Sequence, residues 1–118
     1  MKTTIFHNPR CSKSRQTLAL LEQKNIDLNI VEYLKTPPSI DELTNLSSIF
    51  SDDAREIMRN GEIKYKELAL DREELTNTDL LKAIKQHPIL LQRPIVVVGD
   101  QARIGRPPES VLDLFEDQ

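Results

Sequence analysis

The chain predicts an α/β fold: a four-stranded mixed sheet made of a βαβ half and a ββα half, with an all-helical insert between them. Three observations carry this expectation. Strand-like apolar patterns occur only toward the two ends of the chain, at Thr3–Phe6, Asp27–Tyr33, Ile95–Val98 and Ala102–Ile104. The middle, from about residue 36 to 87, has helical spacing and is rich in charge. Finally, 118 residues without repeats or low-complexity tracts suit one domain with a single core, spanning 1–118.

Each element has a local reason. Thr3–Phe6 reads as a buried strand, Asn8-Pro9 as a turn, and Ser14–Lys24 as a helix with Leu18 and Leu21 on one face. Asp27–Tyr33 alternates polar and apolar residues, as a strand covered on one face does. Strand, helix and strand form a βαβ unit, whose crossover is expected to be right-handed with the strands parallel. Ser39, with Glu42 three residues on, is a capping box opening a helix that turns Leu43 and Leu46 inward. A segment around Ala54 to Met58 ends at Asn60-Gly61, and Thr76 or Thr78 caps a helix carrying Leu80, Leu81 and Ile84. His87-Pro88 breaks that helix. Ile95–Val98 is the most strand-like run, Gly99-Asp100 turns it back, and Ala102–Ile104 completes a hairpin. Pro107-Pro108-Glu109 opens a last helix with Val111, Leu112 and Phe115 inward.

Composition narrows the function classes. A net charge of −3 and a pI near 5.4 speak against general binding to nucleic acid or anionic membranes. No apolar run is long enough to span a bilayer, and His7, Arg10 and Lys13 make the first stretch unlike a secretory signal. The expected location is therefore cytoplasmic. One cysteine makes no internal disulfide, and His7 and His87 have no metal-ligand spacing with it, so neither a resident metal nor a bound cofactor is expected.

That cysteine, Cys11, is the candidate nucleophile. It lies where the first strand ends and the first helix begins, at a point where open N–H groups and the helix dipole favour an anion. Arg10, Lys13 and Arg15 add positive charge, and such surroundings lower a thiol's pKa. His7, four residues earlier, would assist further if charged. Ser14 would either hydrogen-bond the sulfur or simply cap the helix, and Asn8 would hydrogen-bond the following turn.

The element order is that of thioredoxin-like proteins. Within it, Phe6-His7-Asn8-Pro9-Arg10-Cys11, Tyr33-Leu34 followed by Pro37-Pro38, His87-Pro88-Ile89-Leu90, Arg93-Pro94-Ile95-Val96-Val97 and Arg106-Pro107 together closely resemble the glutaredoxin-linked arsenate reductase family. The resemblance runs from about Ile5 to Leu114. It implies reduction of arsenate to arsenite by attack of Cys11, with Arg59, Arg93 and Arg106 holding the oxyanion. Arg59 would end a middle helix. Arg55 and Arg103 are comparable on composition, and only the motif singles out Arg106. The resemblance also implies a cis peptide at Arg93-Pro94, glutathione as co-substrate and glutaredoxin as partner. Guanidinium forks suit this task because arsenate repels a thiolate until its charge is neutralised.

Thiol arithmetic supports part of this scheme independently. Two electrons are needed and no second cysteine resolves the first, so electrons come from outside thiols. Ser14 stands where a dithiol motif has its resolving cysteine, and Thr17 where the phosphatase-like arsenate reductases have the arginine of their anion loop. Two other readings share the fold: a redox-sensing regulator that binds RNA polymerase, and a glutathione-dependent thiol oxidoreductase.

Overall fold

The computed structural model describes residues 2–115, which divide into two compact units: Pro37–Gln92 is one, and the chain before and after it forms the other. No helix in either is long and apolar enough to cross a membrane.

The flanking unit holds the sheet: β1 (Thr3–His7), β2 (Leu28–Glu32), β3 (Ile95–Val98) and β4 (Gln101–Ile104), in the order β2-β1-β3-β4. β1 pairs parallel with β2 across helix α1 (Ser12–Glu22), and antiparallel with β3, which pairs antiparallel with β4. The expected mixed four-stranded sheet is therefore present. Alternation along β1 and β3 buries Ile5 and Val96, and Leu21 of α1 with Val111 and Leu114 closes the core around them. Each such side chain is worth about 1.5–3 kcal/mol when fully buried.

Register decides where chemistry can assemble. Parallel pairing sets His7 opposite Glu32, and antiparallel pairing sets Phe6 against Ile95 and Ile95 against Ile104. The segments after β1, before β3 and after β4 therefore leave the sheet at the same end. These segments carry Cys11, Arg93 and Arg106.

Two helical boundaries differ from expectation. α1 begins at Ser12 rather than Ser14, with Cys11 itself as N-cap in an extended conformation (φ −94°, ψ 124°). It ends at Glu22 rather than Lys24, before Asn25, which adopts the left-handed region (φ 55°) that asparagine tolerates. The last helix, Pro108–Phe115, is 3-10, so its inward residues repeat every three: Pro108, Val111 and Leu114 are buried. Leu112, expected inward from an α-helical period, is only half-buried, while Phe115 packs against the core as expected.

The central unit contains α2 (Ile40–Ile49), α3 (Ile63–Glu67) and α4 (Asn77–Gln86), with 3-10 turns at Ala54–Ile57 and Pro88–Leu90. Ser39 and Thr76 form complete capping boxes with Glu42 and Asp79, so Thr76, not Thr78, is the cap. Leu43, Leu46, Leu80, Leu81 and Ile84 are buried as expected. The insert extends five residues past the expected end at 87 and is not purely helical. Met58 and Leu91 form an antiparallel bridge, flanked by Arg59 N–H to Leu90 O (2.7 Å) and Gln92 N–H to Ile57 O (2.9 Å).

Gly105, between β4 and Arg106, is a point of close approach. A Cβ there would lie 2.5 Å from Thr17 Oγ1 and 2.7 Å from Pro94 Cγ, while its N–H donates to Pro94 O at 2.9 Å. Only a residue without a side chain lets α1, the Pro94 segment and the Arg106 segment meet. Gly105→Ala is expected to lower stability by about 1–3 kcal/mol, the usual cost of overpacking. Urea denaturation measures it, and an unchanged midpoint would contradict this packing.

Candidate active site

The loop from β1 to α1 is built by its own polar groups. Cys11 N–H donates to Asn8 O (3.0 Å), Arg10 N–H to Asn8 Oδ1 (3.0 Å), and Arg15 Nη1 to Pro9 O (3.0 Å). Asn8 thus acts as the expected turn-former. The Ser14 hydroxyl neither caps the helix nor bonds the sulfur. Ser14 lies buried in the first turn, its Oγ accepting the Asn8 N–H at 3.0 Å and pairing with His7 Nδ1 at 2.6 Å. These contacts tie the start of α1 to the end of β1 and hold Cys11 between them.

Cys11 is half-buried at the helix N-terminus. Burial alone pushes its thiol up, but four influences together outweigh it and hold the pKa below the ordinary thiol value. In order of size these are the Ser14 N–H, the Arg93 charge, the Lys13 N–H and the Arg106 charge. The N–H groups act on the sulfur without closing a cap hydrogen bond, as open donors at a helix end do. Arg106 Nη1 is 3.8 Å from Cys11 Sγ and 3.3 Å from Arg93 O, so one guanidinium bridges the sulfur and the Arg93 backbone.

Arg93 supplies a second cation on the same sulfur. Its Nε is buried without a hydrogen-bond partner. A buried donor left unpaired costs about 1–3 kcal/mol. The Arg93-Pro94 peptide is cis, as the resemblance implied, and so is Arg106-Pro107, which the sequence reading took only as a helix lead.

Of the six residues singled out from sequence, Cys11, Arg93, Arg106, His7 and Ser14 all belong to this end of the sheet unit. Arg59 lies in the central unit, and it does not end a helix there. It sits in the extended stretch beyond Ala54–Ile57, where its guanidinium contacts Ile89 O (3.3 Å) and Glu62 (3.1 Å). Arg55 is committed to the carbonyls of Leu70 and Arg72, and Arg103 to that of Ala102, which leaves Arg106 as the motif chose it. Gly105 and Thr17 were missed as site-shaping residues. The only sequence signal was a glycine directly before Arg106.

The expectation that a charged His7 assists the thiolate meets an opposing influence in the structure. Burial lowers the His7 pKa from the ordinary 6.5, against the opposing charges of Glu32 and Glu22, which favours the neutral ring, and its Nδ1 anchors Ser14. The unfolded chain therefore binds more protons here than the folded one, and stability falls as pH drops through the interval below 6.5. In denaturation series from about pH 8 to about pH 5, His7→Gln should show a smaller loss on the acid side than the parent. Equal slopes would contradict a neutral buried His7.

Comparison with known proteins agrees with this geometry. The ArsC family matches residues 6–114. An arsenate reductase of Haemophilus influenzae is 49% identical over 116 residues, covering 98% of this chain and all of the relative. An arsenate reductase of Escherichia coli is 40% identical over 114 residues, covering 97% and 81%. Among solved structures, the arsenate reductase of Vibrio cholerae superposes with a TM-score of 0.90 at 48% identity, covering 96% of this chain and 97% of that one. The thioredoxin-like arrangement of sheet and helices and the extended match together establish that the chain belongs to the ArsC family.

Proposed function

We propose that the protein reduces arsenate to arsenite, with Cys11 as nucleophile, Arg93 and Arg106 as oxyanion ligands, and glutathione and glutaredoxin as electron donors in the cytoplasm. The observation that carries this reading is the Arg106–Cys11 contact at 3.8 Å, with the Arg93 charge acting on the same thiol. Two guanidinium groups next to a favoured thiolate can first bind a tetrahedral oxyanion and then stabilise the charge that shifts during attack. The names of the family relatives supply the substrate.

In the reaction, Cys11 Sγ bonds to As(V) and one arsenic-bound oxygen leaves as water. Glutathione then attacks the adduct. Two thiols together supply the electron pair that takes As(V) to As(III), and their sulfurs end as a disulfide that glutaredoxin resolves. Because the chain has one cysteine, both the second sulfur and the resolving thiol come from outside. Ser14 and His7 are positioning residues here, acting through the loop rather than on the arsenic. Arg59 completes the arginine set on its motif position alone. The filled arginine positions and the lack of a second cysteine weigh against the redox-regulator reading.

An assay coupling arsenate-dependent glutathione consumption to NADPH oxidation tests the proposal. Cys11→Ser should abolish turnover with the fold intact. Arg93→Ala or Arg106→Ala should lower kcat/KM by about 10²-fold each, and the double variant by less than the product, since both groups serve one ligand. Arsenate should also protect Cys11 from iodoacetamide. An inactive parent chain, or a Cys11→Ser variant that still turns over, would overturn the assignment.

A further inference from the structure

A cavity of about 260 Å³ opens beside the turn that carries Cys11, and neither the nucleophile nor the oxyanion arginines line it. Its walls include Pro9 and Leu34 as apolar surface and Arg10, Lys35 and Glu32 as charges. Parallel register creates it: His7 and Glu32 end adjacent strands side by side, and the turns that follow each strand form the two sides.

Three features point to a ligand of defined chemistry. The lining sets two cations against one carboxylate. Lys35 Nζ and Glu32 Oε1 do pair at 3.4 Å, but their side chains are 80% and 41% exposed, and so open a pair contributes little and leaves both groups free to change partners. Leu34 is 44% exposed, an apolar wall beside the charges. Arg10 immediately precedes Cys11 in a turn whose backbone is fixed by the Asn8 hydrogen bonds, so a ligand held by Arg10 lies beside the residue that carries the sulfur.

From this geometry we infer that the cavity seats the external thiol, the glutathione of the proposed reaction. Glutathione carries two carboxylates and one ammonium, the inverse of the lining. Its carboxylates pair with Arg10 and Lys35, its ammonium with Glu32, and its central residue lies along Pro9 and Leu34. The sulfur is then delivered toward the adduct on Cys11. Arginine is suited to the first contact because its fork grips a carboxylate through two bonds. The identity of the reducible group rests on the arsenate reading given above. The seat itself rests on the cavity.

Steady-state kinetics with the Arg10→Ala/Lys35→Ala variant test the seat. With glutathione as varied donor, its KM should rise roughly tenfold, equivalent to losing about 1.4 kcal/mol of binding. The KM for arsenate and the arsenate protection of Cys11 should not move. With 2-mercaptoethanol, which has no charged groups to place, parent and variant should respond alike. A glutathione KM unchanged by the substitutions would overturn the proposal. A second readout is independent of turnover: S-methylglutathione should shift backbone NMR signals of Arg10, Leu34 and Lys35 in the parent chain and not in the variant. If the parent reduces no arsenate yet shows these shifts, the arsenate reading fails and the seat stands. Absence of the shifts removes the seat whatever the assay shows.

Discussion

A thiol at a helix N-terminus, its ionisation favoured against the pull of its own burial, is the interaction on which the rest of the site depends. Partial burial favours the neutral thiol of Cys11, and what opposes it are two backbone N–H groups of the first turn and the charges of Arg93 and Arg106. One pKa unit corresponds to about 1.4 kcal/mol, so modest displacements of these donors change how readily the sulfur ionises. None of the four acts over a long range. Each has to be brought close by the backbone.

The sheet does this through strand direction. With β1 parallel to β2 and antiparallel to β3, and β3 antiparallel to β4, the chain passes the same sheet end after β1, before β3 and after β4. Gly105 allows the last of these passes to come close enough for Arg106 to reach Sγ. The Asn8 turn and the buried His7–Ser14 pair hold the first pass rigid. Burial disfavours the charged form of His7, so the loop is held by hydrogen bonds rather than by an added charge.

Much of this was legible in the sequence, and the limits have physical reasons. Capping residues act through their immediate neighbours, so Ser39 with Glu42 and the Thr76 cap could be read from spacing, as could the four strands from their apolar runs. Cys11 was legible because a charged strand-to-helix turn is a local pattern. The start of α1 was misplaced because serine is a common cap, whereas Ser14 spends its hydroxyl on His7 and Asn8, contacts that depend on the packing of α1 against β1. Leu112 was placed inward by an α-helical period, yet the last segment winds at three residues per turn and buries Leu114 instead. Arg59 was read as a helix end because its backbone bond to Leu90 links residues far apart in the chain. Gly105 escaped notice because its role is a steric clearance from Thr17 and Pro94, which no residue pattern encodes.

The most direct test of the account is the ionisation of Cys11 itself, followed by the ultraviolet absorbance of the thiolate as pH is raised, in the parent chain and in Arg93→Gln/Arg106→Gln. The account predicts a parent midpoint below that of the same cysteine in the denatured chain, moving upward when the two guanidinium charges are removed. A parent midpoint at or above that of a free thiol, or one indifferent to both substitutions, would contradict it.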